Sequence, residues 1–186
     1  MPHIVDIDGI HESLFLLQNL CLASEPFCKL HQIGRYAEQS GEFEWDYYFG
    51  WLKSLLCNHM IQCAIKMRIL RDLLGEYDED VDFAKIDEDA LKGLTIGRFL
   101  VGNERLTVRE ACNKIIHATD VTLHWKDISK KDETEYWTGV VWLEGTKGRN
   151  KWKLELRVGE FCRALFRILS DLEDAVDWYH LYKYDS

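Results

Sequence analysis

Lys151-Trp-Lys-Leu-Glu-Leu-Arg-Val158 is the stretch on which the reading of the fold turns. Trp152, Leu154, Leu156 and Val158 alternate with Lys151, Lys153, Glu155 and Arg157. Successive side chains of a strand point to opposite faces, so this period of two predicts a strand with one buried and one wet face. Just before it, Gly145-Thr-Lys-Gly-Arg-Asn150 supplies turn residues, and Tyr136 to Leu143 is rich in aromatic and β-branched residues. Together these predict a hairpin. Val121 to Ile128 predicts a further strand, joined to the hairpin by the charged loop Ser129 to Glu135. The expectation is a three-stranded β-meander over 121–158.

Outside that segment the apolar residues recur with a period near four. Ile10 to Ala23 and Glu25 to Glu38 read as two helices, and the longest helix runs from Phe43 to Leu74 between Ser40-Gly41 and Gly75. A short helix over Glu88 to Phe99 is interrupted by Gly93 and Gly97. Two more helices cover Val108 to Ala118 and Glu160 to His180. With only Pro2 and Pro26 in the chain, long helices are permitted. The expected fold is mainly α: a helical bundle with a small three-stranded antiparallel sheet inserted before the last helix (α+β), as a single domain over residues 1–186.

Composition narrows the function classes. A chain of 186 residues that is 47% hydrophobic can bury one sizeable core. A net charge of −9 disfavours a general nucleic-acid coat but leaves room for a local basic cleft. Glu76 to Asp89 is an acidic run with Lys85 as its only base, which reads as a solvated segment. Cys21, Cys28, Cys57, Cys63, Cys112 and Cys162 include no C-x-x-C pair, so they read as buried free thiols in a reducing compartment rather than disulfides or a zinc site. The histidines lack metal-ligand spacing, and no phosphate loop, dinucleotide fingerprint or nucleophile elbow occurs, so neither a metal nor a cofactor is expected. No signal peptide or membrane span is expected, and the assignment is cytoplasmic.

The chemistry concentrates in Leu106-Thr-Val-Arg-Glu-Ala-Cys-Asn-Lys-Ile-Ile-His-Ala118. Arg109, Asn113 and His117 follow at four-residue steps, each about 40° around a helix, so they share one stripe. Thr107 and Glu110 have the spacing of a capping box. Arginine offers phosphate a rigid fork of donors, asparagine can hold a hydroxyl or a phosphate oxygen, and histidine can exchange a proton near neutral pH. Asn113-Lys-Ile-Ile-His117 resembles the second half of the Arg-Asn-x-x-x-His signature of HEPN domains, all-α domains of many prokaryotic toxins and antiphage systems. Asn113 and His117 fall on the family's positions, Cys112 stands where the family has its arginine, and Arg109 lies one turn earlier on the same stripe.

The resemblance implies an RNA-directed protein, a metal-independent ribonuclease of a toxin or antiphage system acting as a homodimer. His117 would be the general base or acid, Arg109 the stabiliser of phosphate charge and Asn113 the orienting group. The alternative is a non-catalytic protein-binding or regulatory module on the same scaffold, with a protein partner. An enzyme needs Arg109 and His117 exposed in one cleft; a scaffold does not. A second candidate surface is Lys147, Arg149, Lys151 and Lys153 interleaved with Trp152, which reads either as a single-stranded nucleic-acid surface or as lysines guarding a sheet edge. His59 reads as a satisfied core histidine, the alternative being support for His117, and Asp46 could similarly orient a histidine.

Overall fold

The computed structural model describes residues 5–36, 43–77, 81–102, 105–129, 133–176 and 178. Its elements run α1 (Ile7–His31), α2 (Trp45–Tyr77), α3 (Phe83–Ala90), β1 (Gly97–Val101), α4 (Val108–Ile116), β2 (Asp120–Ser129), β3 (Thr134–Lys147), β4 (Asn150–Arg157) and α5 (Val158–Ala175). The expected break at Ser40-Gly41, parts of the acidic run and of the loop before β3, and the end of the last helix lie outside the described residues.

The sheet corrects the expected fold class. Among the described residues it has four strands, all antiparallel, in the order β1-β4-β3-β2, and not three. The meander β2–β3–β4 forms as expected, but β1 joins β4 from between α3 and α4, with Gly97 opposite Leu156. The segment expected to be a broken helix over Glu88 to Phe99 is thus the end of α3, a turn and a strand. Gly97 explains part of this. Its φ is +156°, and a Cβ there would collide with the Glu155 carbonyl, so the close pairing of β1 with β4 needs glycine.

Two helices run further than the sequence suggests. α1 continues through Pro26, where the carbonyl that proline leaves without a donor belongs to exposed Leu22. α2 continues past Gly75 to Tyr77. α1 lies against β3, with the Ser24 hydroxyl accepting from the Trp137 backbone N–H at 3.0 Å, and it also packs on α2 and α5. Trp137, Val141 and Leu143 of β3 and Leu154 and Leu156 of β4 share one core with Ile10, Leu14 and Leu17 of α1 and Phe161, Leu165 and Leu169 of α5. α4 rests on α2, and α3 rests on α5, where Arg167 donates to the carbonyls of Ala90 at 3.0 Å and Lys92 at 2.7 Å. Among the described residues, no helix is long and apolar enough to cross a membrane.

Candidate functional site: an arginine-lined groove

α4 begins where the sequence places it. The Thr107 hydroxyl accepts from the Glu110 backbone N–H at 3.1 Å and caps the helix. The reciprocal half of the capping box is replaced. The Glu110 carboxylate instead holds Lys114 Nζ at 2.9 Å and accepts from Asn113 Nδ2 at 3.4 Å. Lys114 is buried, with its ammonium 4.8 Å from the Trp152 ring centroid and 5.4 Å from that of Phe99. A buried cation makes a stronger demand on Glu110 than an exposed helix end does.

The polar stripe divides. Arg109 and Asn113 line a groove of about 510 Å³ between α2, α3 and α4, together with Arg68, Arg71, Asp72 and Phe83. His117 is exposed at the C-cap of α4 and takes no part in the lining. Eight residues of helical rise set it about 12 Å along the axis from Arg109. Of the three residues of the stripe, two thus line the groove and one lies beyond its end.

The arginines of the groove have different commitments. Arg71 forms a two-pronged ion pair with Asp87 at 2.7 and 3.1 Å, with side chains only 12% and 11% exposed, and its guanidinium lies 4.9 Å from the Phe83 ring centroid. That pair ties α2 to α3. Arg68 donates to Asn113 Oδ1 at 2.7 Å and stands 3.8 Å from the Asp72 carboxylate. Asn113 is thus held at both ends, its oxygen by Arg68 and its nitrogen by Glu110. Arg109 is exposed and makes no hydrogen bond or ion pair with any described residue. Cys112, at the position of the HEPN arginine, is buried in the contact of α4 with α2, where burial pushes its thiol up to about 12. Sequence reasoning missed Arg68 and Arg71. Their spacing of three on α2 is visible, but only the packing of α2 on α4 turns them toward the motif.

The remaining candidates are placed as follows. Lys147, Arg149 and Lys151 are exposed around the β3–β4 turn. Lys153 is half-buried, paired with Glu144 at 2.7 Å and set 4.7 Å from the Trp142 ring centroid. Trp152 is buried against Gly145 and Lys114, so it is closed to stacking with a base. β1 flanks β4 from Lys153 to Leu156, so Lys153 does not guard a sheet edge either. His59 Nδ1 is 3.2 Å from Ser13 Oγ on α1, away from the motif helix, and Asp46 is exposed near the start of α2. Among the described residues no three His, Cys, Asp or Glu side chains converge to hold a metal ion.

Compared with known proteins, the chain matches no family model, no curated protein and no solved structure.

Proposed function

We propose that the protein is an RNA-binding module that holds a backbone phosphate in the groove between α2 and α4. The observation behind this reading is Arg109, an uncommitted guanidinium on the wall of a groove that already contains Arg68. A planar guanidinium presents paired donors that fit the oxygens of a phosphate. RNA as the ligand rests on the likeness of Asn113-x-x-x-His117 to the HEPN signature. Binding is favoured over cleavage because His117, the proton-transfer group of the motif, lies outside the groove.

The net charge of −9 limits how many phosphates the surface can hold. With Arg109 and Arg68 both on the one phosphate held there, about one phosphate is neutralised, and the logarithm of affinity should fall against the logarithm of salt with a slope of about −0.7. The test is fluorescence anisotropy of a labelled single-stranded RNA, run beside a cleavage gel in EDTA. Arg109→Ala should weaken binding about tenfold, or about 1.4 kcal/mol, while His117→Ala leaves it unchanged and the RNA stays intact. Wild-type protein that binds no RNA, or Arg109→Ala that binds as well as wild type, overturns the proposal. Cleavage that disappears in His117→Ala would replace it with the ribonuclease reading.

A further inference from the structure

α2 has two apolar faces, and among the described residues only one of them is covered. Leu56, Cys63, Met67, Leu70 and Leu74 are buried in the core. On the opposite side Tyr47, Trp51, Leu55, Ile61, Ile65 and Ile69 are between 38% and 59% exposed. At 100° per residue these six fall in a band about 120° wide. The other residues of the band between Tyr47 and Ile69 are Ser54, Asn58 and Gln62, so this stretch includes no charge.

The apolar and polar positions of the band are arranged symmetrically about Asn58. Leu55 and Ile61 lie three residues to either side, Ser54 and Gln62 four, Trp51 and Ile65 seven, and Tyr47 and Ile69 eleven. Along its centre, Tyr47, Trp51, Ser54, Asn58, Ile61 and Ile65 follow in alternating steps of four and three, which is the seam spacing of paired helices. We propose that this face is the interface of a two-fold dimer in which the α2 helices of two copies pack antiparallel, with the axis passing beside Asn58.

A self-complementary contact requires that residue i meet residue j and residue j meet residue i. An antiparallel pair centred on Asn58 meets that condition with apolar residues facing apolar ones along the band. Trp51 comes opposite Ile65 of the second copy and Tyr47 opposite Ile69, large aromatic against smaller aliphatic. Leu55 and Ile61 come level with each other near the centre, flanked by Ser54 and Gln62. Asn58 meets its own copy on the axis, where a polar residue at a seam position fixes register. Tyr47 and Trp51 already stack with their rings 5.8 Å apart, which reduces the ordering left to do on association. The symmetry of apolar and polar positions about Asn58 fits a second copy of the same helix running the other way. An uncharged seam lets two chains of net charge −9 approach where their repulsion is least. The band is about 33 Å long, and a helix pair of that length should bury on the order of 1,000 Å², the threshold for a specific interface.

Sedimentation equilibrium of the full chain at tens of micromolar should give a dimer, twice the 21.9 kDa of the monomer. Trp51→Glu and Ile65→Glu should each be monomeric with an unchanged far-ultraviolet circular dichroism spectrum, because both side chains face outward. In a Cys57→Ser background, Asn58→Cys should form a disulfide between copies under mild oxidation, while Ser54→Cys should not, because its two copies are eight residues of rise apart. A wild-type chain that stays monomeric overturns the proposal, as does a dimer that survives both glutamate variants. Equal cross-linking of Ser54→Cys and Asn58→Cys would indicate parallel helices and overturn it too.

Discussion

Arg71 and Asp87 show how much a single pair of side chains can hold in place. Both are nearly buried, and their two hydrogen bonds join the helix that floors the groove to the helix that flanks it. Asp87→Ala would leave a guanidinium buried without its counter-charge, and should cost about 3–5 kcal/mol in urea denaturation. Replacing both partners with apolar residues of similar size should recover most of that loss. The sequence hides this pair. Asp87 sits in the acidic run read as solvated, and most of its described neighbours are indeed exposed or half-exposed. The run's second half folds as α3, capped by Asp82, and that turns one carboxylate of the run toward Arg71. Arg109 was legible because its signal is local to one helix. Arg68 was not, because it meets Asn113 across 45 residues of chain.

Among the elements, the ones that could be read are those whose burial is periodic. β4 buries alternate residues from Trp152 to Leu156, β3 does so from Val141 to Gly145, and α4 and α5 bury one stripe each, so there pattern and structure agree. β1 defeats the same reasoning. It is five residues long, and both Leu100 and Val101 stay exposed, so no alternation marks it as a strand. Its identity comes from β4 alongside it, with Arg98 reaching Glu155 at 3.2 Å. Gly97→Ala should force β1 away from the Glu155 carbonyl, costing about 1–3 kcal/mol. Amide hydrogen exchange should then speed up in β1 and along the facing residues of β4 while the β3 pairing with β2 stays protected. α1 joins the stretches expected as two helices, Ile10 to Ala23 and Glu25 onward. Pro26 is a strong local stop signal, but it is exposed at a point where the helix can lose one hydrogen bond to solvent.

For the whole molecule, the cysteines convert burial into a pH dependence. Four of the six are buried and two are half-buried, in keeping with the reading of free interior thiols. Burial pushes Cys63 up to about 11 and Cys21 and Cys112 up to about 12, and raises Cys162 as well. In the unfolded chain these thiols titrate near 9.0. Between about pH 9 and 11 the unfolded state therefore releases protons that the folded state keeps, and stability falls as pH rises through that window. Thermal unfolding should accordingly shift to lower temperature over that range, and mutating Cys112 to Ser should remove part of the shift. The fold class was half legible at this scale. Helices and a meander could be inferred, whereas the fourth strand required a pairing that no window of sequence contains.

That pairing also sets an order in time. Gly97 of β1 finds its partner in Leu156, 59 residues later in the chain (156 minus 97). A chain emerging from the ribosome N-terminus first exposes β1 long before β4 exists, while α1 and α2, which are adjacent in sequence, can already close on each other. Everything between β1 and β4, including α4, waits inside a loop whose closure carries an entropic cost. The helix that bears Arg109 and Asn113 is thus locked into the sheet only after the last strand has been synthesised, so truncations ending before β4 should yield a folded pair of helices with no finished groove.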